Sequence, residues 1–208
     1  RRGWQQRNKI ILNEEVSWLT LPVLKDDRSQ LICETKILRE KKNINKLFRT
    51  IKQNYSQSKY YKTYYQDFEK KFTECLQLDF LDELNIELIK WFVNKIGIKT
   101  KLFKSSDFSI KEERSLKLIK ICNKFGVSEY LSSYGAIDYL KDDLKFFNKE
   151  NINVYLQNYE TVKYKQLSKK FDGFVSILDM LFNEGPNTLS IIRDGRKEKI
   201  NINEIKKN

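Results

Sequence analysis

The chain has 208 residues, a formal net charge of +12 and no His. Hydrophobic residues make up 40% of it and aromatic residues 13%, which excludes a disordered chain and provides the core of one sizeable domain. The lack of His excludes a Ser-His-Asp or Cys-His site within this sequence, and no run reaches about 18 apolar residues, so we expect no transmembrane segment.

The first nine residues combine cations, side-chain amides and an indole in a segment too polar for a core. Arg and Asn side chains carry several donors in fixed geometry, which suits an anionic or hydroxyl-rich ligand. The residues expected to bind substrate here are Arg2, Trp4, Arg7, Asn8 and Lys9. The cations would hold phosphates, and Trp4 would stack on a sugar or base. Because the chain opens without Met, we expect an N-terminally truncated sequence with part of the site upstream.

Alternating apolar and polar residues predict N-terminal strands, at 9–12, 16–24 and 31–38. Trp18, inside a strand pattern, is expected to pack in the core. A helical subregion over about 43–96 follows, with helices beginning at Asn43 and spanning about 59–76 and 80–96. The Tyr-rich stripe on the second helix indicates an amphipathic face, and the alternative is a stacking platform for a sugar or base.

The second half of the chain alternates strands with helices. The predicted strands are 99–103, 129–131 and 153–157, and the predicted helices are 111–125, 136–140, 144–150 and 172–182. This order implies parallel pairing with right-handed crossovers. We therefore predict an α/β fold, a three-layer sheet with parallel strand-helix-strand units in the C-terminal half after N-terminal strands and a helical segment. Residues 1–192 would form a single domain, and residues 193–208 a charged tail.

Two serine turns follow strands in this prediction. Ligands of open parallel sheets bind beyond the carboxyl ends of the strands, and hydroxyls with backbone N–H groups ahead of a helix can hold an anion. The residues expected to bind substrate there are Ser105, Ser106, Ser132 and Ser133. The alternative for each turn is an ordinary helix N-cap. Asp138 would face the same pocket as a catalytic residue, unless it is a surface residue of its helix.

The long connection after residue 157 offers further candidates, because irregular segments beside a sheet's ligand end often carry function. Tyr164 is expected to be catalytic, and Gln166 and Asn183 are expected to bind substrate. Asp179 and Asn183 lie one turn apart on the last helix. For each of these residues the alternative is a structural role, which for Asn183 is a C-cap.

Charge and Cys usage limit the partners. The cations are scattered along helix faces, which disfavours specific nucleic-acid binding. Cys33, Cys75 and Cys122 are far apart and odd in number, so neither a metal site nor a disulfide framework fits. Free thiols predict a cytoplasmic protein. The cofactor is left unassigned, since the chain has neither a Gly-rich dinucleotide fingerprint nor a phosphate-binding loop.

Several motifs resemble the WbqC-like protein family over nearly the whole chain, up to about Ile192. They are RGWQQRNKI at 2–10, WLTLPV at 18–23, GIKT at 97–100, Ser105-Ser106, YLSSYG at 130–135, DYL at 138–140, YKQ at 164–166 and SILDMLFNEGP at 176–186. The first and last motifs are the most specific. Two departures stand out. The family usually begins with a segment resembling Gln-Pro-x-Tyr-Leu-Pro-Trp-x-Gly-Tyr, which this chain lacks. This chain also has Ser133-Tyr134 where many members of the family carry a Gly-containing turn.

The resemblance implies a bacterial protein of surface-polysaccharide biosynthesis, encoded among enzymes that build the O-antigen of lipopolysaccharide or capsular sugars. It makes acyl or aminoacyl decoration of an amino sugar a plausible role. The leading hypothesis is a transferase acting on a nucleotide-linked or carrier-linked sugar, with an acyl or aminoacyl donor. Without His, proton transfer would fall to Asp138, to Tyr164 or to an upstream carboxylate. The alternatives are a non-catalytic scaffold of the same pathway and a partner that contacts aminoacyl-tRNA.

Overall fold

An antiparallel hairpin opens the computed structural model, which describes residues 3–24 and 30–205. The strands of the described residues are β1 (Arg7–Leu12), β2 (Glu15–Thr20), β3 (Glu129–Ser132), β4 (Asn153–Leu156) and β5 (Ile200–Asn201). The α-helices are α1 (Lys41–Tyr55), α2 (Tyr61–Cys75), α3 (Leu81–Lys95), α4 (Arg114–Phe125), α5 (Ile137–Lys149), α6 (Ile177–Glu184) and α7 (Thr188–Asp194). None of these helices is both long enough and apolar enough to cross a bilayer.

The β1–β2 hairpin confirms the first two predicted strands. Its register runs from Arg7 opposite Thr20 to Leu12 opposite Glu15. Both loop residues, Asn13 and Glu14, have positive φ, at 50° and 67°. A two-residue loop with positive φ at both positions matches the right-handed twist of the strands that it joins. The hairpin therefore has a defined register, which fixes the face on which each side chain lies.

The strand predicted at 31–38 is wrong. Ile32–Glu34 forms a 3₁₀ turn instead. The Glu34 carboxylate accepts from the Leu31 N–H at 3.0 Å, and the Thr35 hydroxyl donates to the Leu31 carbonyl at 2.9 Å. Side chains that bond the local backbone in this way compete with strand pairing. Beyond the turn, the described residues of this segment form single bridges, Val23 with Ile37 and Lys36 with Phe80.

The contacts divide the chain into two compact units. The first comprises the residues up to Lys99 together with Val162–Asp194, and the second comprises Thr100–Thr161 with the residues from Gly195 onward. The single domain over residues 1–192 stays a prediction. Each unit has its own buried apolar cluster.

The first unit packs the hairpin with α1, α2, α3 and α6. The three predicted helices of the 43–96 region are confirmed, and α3 ends at Lys95, two residues before Gly97, whose φ is +80°. The apolar residues of the Tyr-rich helix α2 enter the core, where Tyr61, Phe68 and Phe72 are buried. The amphipathic interpretation of that stripe is therefore confirmed. Helix α6 lies at the centre of the unit, since Leu181 and Phe182 are fully buried.

The second unit contains one of the two predicted parallel strand-helix-strand units, and a single helix, α5, replaces the two short helices predicted at 136–140 and 144–150. β3 pairs parallel to β4 with α5 between them in the chain, and β5 adds to β4 antiparallel. The strand predicted at 99–103 is wrong, because these residues pair with no strand. The Phe103 ring packs against the Phe125 ring instead, with 4.8 Å between the ring centres. The segment expected to be a charged tail supplies β5 and a buried Ile202. The mixed α/β fold is confirmed, and the three-layer arrangement stays a prediction.

Candidate functional site

The hairpin carries two cations and two indole rings on one face. Arg7 and Lys9 alternate along β1 and so lie on the same side, and strand pairing places Lys9 opposite Trp18. The Arg7 N–H donates to the Trp4 carbonyl at 3.3 Å, which closes a turn ahead of β1. We call Trp4, Arg7, Lys9 and Trp18 the Trp–Arg cluster.

The two indole rings of the Trp–Arg cluster contact the cations and remain exposed to solvent. The Arg7 guanidinium lies 4.0 Å from the centre of the Trp18 ring, and the two indole centres are 4.8 Å apart, edge to face. The Lys9 ammonium lies 5.7 Å from the Trp18 ring and 5.9 Å from the Trp4 ring. Trp4 is 63% exposed and Trp18 is 39% exposed. The prediction that Trp18 packs in the core is therefore wrong. Its ring packs against Trp4, which is itself exposed, and against the Arg7 side chain rather than within the core cluster.

A cavity of about 360 Å³ opens beside the Trp–Arg cluster, within the first unit. Its mouth is polar and includes Gln5, Gln6, Arg7, Asn8, Asn85 and Ser176. Its walls are apolar and include Leu21, Phe68, Phe72, Leu84, Leu88 and Phe92. The hairpin, α2, α3 and the first turn of α6 thus all contribute to one opening, with polar groups at the entrance and hydrocarbon inside.

Three hydrogen bonds fix the polar mouth. The Ser176 N–H donates to the Lys9 carbonyl at 2.7 Å, which joins β1 to the start of α6. The Ser176 hydroxyl caps that helix by accepting from the Leu178 N–H at 3.3 Å. The Asn85 amide donates to the Gln5 carbonyl at 2.9 Å and so holds the segment before β1 against α3. The mouth is therefore preorganised by three separate elements.

A second polar group surrounds Asp179, which is 1% exposed on α6. Its Oδ1 accepts from the Tyr164 hydroxyl at 2.7 Å, from the Gln166 amide at 3.1 Å and from the Asn183 amide at 3.3 Å. Asn183 lies four residues further on and faces Asp179 across one helical turn. Three of the predicted site residues thus meet on one carboxylate, which we call the Asp179 network.

Burial sets the protonation behaviour of this network. It raises the pKa of Asp179, and the hydrogen bonds from Tyr164 and its neighbours offset only part of that effect. Burial and the nearby Asp179 charge likewise raise the pKa values of the Tyr164 and Tyr55 hydroxyls. The Tyr55 hydroxyl accepts from the Ile11 N–H at 3.2 Å. It also interacts with Asp179 electrostatically, although Asp179 Oδ2 makes no hydrogen bond of good geometry within the described residues.

Gln166 connects the network to the loop that precedes α6. Its amide also donates to the Asp172 carbonyl at 2.8 Å, and its side-chain oxygen accepts from the Asp172 N–H at 2.9 Å. Both ends of the Gln166 side chain are thus engaged in ordering the 166–172 loop. Its expected contact with substrate, like that of Asn183 and the catalytic role of Tyr164, stays a prediction.

The remaining candidates lie elsewhere. Arg2 lies outside the described residues. Ser105, Ser106, Ser132, Ser133 and Asp138 all belong to the second unit. Ser132 is buried at the end of β3, whereas Asp138 is exposed in the first turn of α5. That these groups share a pocket with the amino-terminal cations stays a prediction.

Sequence reasoning did not place Asp179 or Asn85 among the site residues. A signal for Asp179 was available, because it is a charged residue between buried positions of an otherwise apolar helix turn. Asn85 had none, since its partner Gln5 is 80 residues away.

The hairpin, the helices packed on it and the parallel strand-helix-strand unit define a mixed α/β protein with a polar-mouthed cavity. The chain belongs to the WbqC-like protein family, whose model matches residues 1–191. It is also 29% identical over 201 residues to the "Uncharacterized protein Rv1507c" of Mycobacterium tuberculosis (strain ATCC 25618 / H37Rv), which covers 93% of this chain and 83% of that relative. No solved structure matches the chain.

Proposed function

We propose that the chain is a transferase that binds an activated amino sugar, nucleotide-linked or carrier-linked, at the Trp–Arg cluster and modifies its amine with an acyl group. The observation that carries the proposal is the pairing of exposed indole rings with Arg7 and Lys9 on one face. A nucleotide-linked sugar offers the matching chemistry, because planar base or sugar faces stack on indole and phosphates bond guanidinium and ammonium groups.

The family resemblance supports the pathway in this proposal. The resemblance implies genes placed among those for O-antigen and capsular sugars, so the amino sugar would be destined for a bacterial surface polysaccharide. The compartment would be the cytoplasm, because Cys33, Cys75 and Cys122 are all free.

The amine of the sugar must lose a proton as it forms the amide. Tyr164 is half-buried and donates to Asp179, whose raised pKa is set by burial. Groups of this kind are candidates for proton transfer in a protein without His. Asp138 remains the alternative carboxylate, since it is exposed in the second unit.

Calorimetric titration with UDP-linked amino sugars tests the binding step. Arg7→Ala should weaken binding by ~1.5–3 kcal/mol, the scale of a lost charge-assisted hydrogen bond. Lys62→Ala removes one exposed cation from α2, outside the cavity lining, and is the matched control. Circular dichroism confirms that each variant is folded. Equal affinity of wild type and Arg7→Ala would remove the Trp–Arg cluster from the proposal.

A second candidate is contact with an aminoacyl-tRNA as donor, for which the net charge of +12 supplies attraction to phosphate although the cations are scattered rather than concentrated. A gel shift with bulk tRNA at moderate salt measures it directly. Absence of a shift would leave a small-molecule donor.

A further inference from the structure

The cavity beside the Trp–Arg cluster is chemically unsuited to a sugar. Its inner walls are formed by Phe68, Phe72 and Leu84, which are buried among other apolar side chains. Sugar hydroxyls placed there would lose their hydrogen bonds to water, at ~1–3 kcal/mol for each unpaired group. A hydrocarbon group loses nothing by entering and gains from leaving water. The interior therefore fits an alkyl chain.

The wall on α3 remains uncovered. Leu84 is fully buried, but Leu88 and Phe92 are only partly buried and Ile89 is 50% exposed. These positions follow one another along the helix face that borders the opening. An apolar group seated there would complete the burial of the face.

The volume of the cavity limits the length of the alkyl chain that it can hold. A cavity of ~150 Å³ holds one benzene ring. The volume here is about 360 Å³, which at similar packing corresponds to about fourteen carbon atoms. Part of that volume lies at the polar mouth, so the apolar interior holds on the order of ten carbon atoms.

The positive charge at the cavity mouth indicates which kind of group the alkyl chain is attached to. Arg7 lies at the entrance, and Lys9 lies within 6 Å of the Trp4 ring that borders it. Both favour an anionic carrier group, which would share these two cations with the phosphates of the acceptor sugar. The Asn8 and Asn85 amides at the same entrance can donate to a carbonyl oxygen.

We infer that the cavity binds the apolar acyl chain, on the order of ten carbons, of an acyl thioester on a phosphorylated carrier. The inference rests on the proposed function for its acceptor, the amino sugar at the Trp–Arg cluster. The sugar amine attacks the thioester carbonyl carbon, so that a C–N bond forms and the C–S bond breaks. The amine proton leaves with the thiolate, which departs as the free thiol.

A chain-length series of saturated carboxylates from four to fourteen carbons tests the cavity by calorimetry. Affinity should rise about fourfold with each added methylene, which corresponds to ~0.8 kcal/mol, and should stop rising near ten carbons. Affinity that is absent or independent of chain length would overturn the inference. Such a result would favour a different occupant of the cavity, either another segment of this chain or a second copy of it.

Two variants should shift the chain length at which affinity stops rising, in opposite directions. Leu88→Trp fills the cavity and should shorten the longest chain that is accommodated, whereas Ile86→Trp is the matched control on α3 outside the lining. Phe92→Ala enlarges the cavity and should extend the limit by several carbons, which keeps the test decisive if Leu88→Trp does not fold. An unchanged limit in the folded variants would contradict the assignment.

Two further probes separate this inference from the proposed function. Octanoyl coenzyme A and an octanoylated carrier protein should each bind more tightly than octanoate, and the tighter of the two identifies the carrier. If neither exceeds octanoate, the anionic-carrier assignment is wrong. Chain-length-dependent binding without binding of UDP-linked amino sugars would sustain the acyl site and refute the sugar site, and the converse result would do the reverse.

Discussion

Replacing Asp179 by Asn should change how the stability of the protein depends on pH. Burial raises the pKa of Asp179 above its ordinary value of 3.8. The folded state therefore keeps a proton at pH values where the unfolded state has released it. The stabilisation that this proton on Asp179 provides is complete below about pH 4 and is lost as the pH rises through the pKa of Asp179 in the folded state. The free energy of unfolding should fall by up to ~1.4 kcal/mol per pH unit within that window.

The composition of the protein isolates this effect. The chain has no His, so no imidazole titrates between pH 5 and 8. Hydrogen bonds from Lys71 and Lys90 lower the pKa of Glu87 to about 2. Its contribution is lost only as the pH falls from 4.5 toward 2, below the window of interest. A downward slope above pH 4.5 can therefore be assigned to a carboxyl with a raised pKa.

Urea unfolding at half-unit intervals from pH 4.5 to 8, followed by tryptophan fluorescence, measures the slope. Trp4, Trp18 and Trp91 all belong to the first unit, so the signal reports the unit that contains Asp179. Asp179→Asn should flatten the slope, because the amide does not titrate. Asp194→Asn, at an exposed position of the same unit, should retain it. Parallel curves for wild type and Asp179→Asn would refute the reasoning.

Two further substitutions test the packing of the first unit by the same unfolding assay. Gly185→Ala adds a Cβ within 2.5 Å of the Tyr60 ring at a φ of +52° and should cost ~2–4 kcal/mol. Gly97→Ala is its control, since φ is +80° but the nearest atom lies 3.8 Å away, and it should cost ~1–2 kcal/mol; equal losses would contradict the predicted clash. Arg39→Ala removes donors to two carbonyl oxygens at the end of α2, at 2.6 and 2.5 Å, and should cost ~1–2 kcal/mol. Its control Arg49→Ala, exposed on α1, should change stability by under ~0.5 kcal/mol, and a similar small change for Arg39→Ala would show that its hydrogen bonds contribute little.

Local sequence signals recovered the elements whose causes are local. The hairpin follows from the alternation on either side of a short polar turn. The strand bounds predict this turn at 13–15, and the structure shortens it to Asn13 and Glu14, which both have positive φ. Helices α1 to α3 follow from apolar spacing, and Gly97 marks the end of α3. The 31–38 prediction was wrong because the bonds of Glu34 and Thr35 to the backbone overrode an alternating pattern.

Elements that depend on distant partners were not accessible in the same way. β5 has two residues in a charged segment and exists through pairing with β4, more than 40 positions earlier. The site shows the same division. The cations and Trp4 at the N-terminus could be recognised by composition, whereas the Asp179 network joins Tyr164 to a carboxylate 15 residues away. The cavity is lined by the hairpin region, α1, α2, α3 and the start of α6, which only folding brings together.

Hydrogen–deuterium exchange with and without a UDP-linked amino sugar tests the central claim most directly. Binding at the Trp–Arg cluster should slow exchange in β1 and in the first turns of α6, which the Ser176–Lys9 hydrogen bond connects, and leave α4 unchanged. Protection confined to the serine turns at 105–106 and 132–133, or no protection at saturating ligand, would contradict the account.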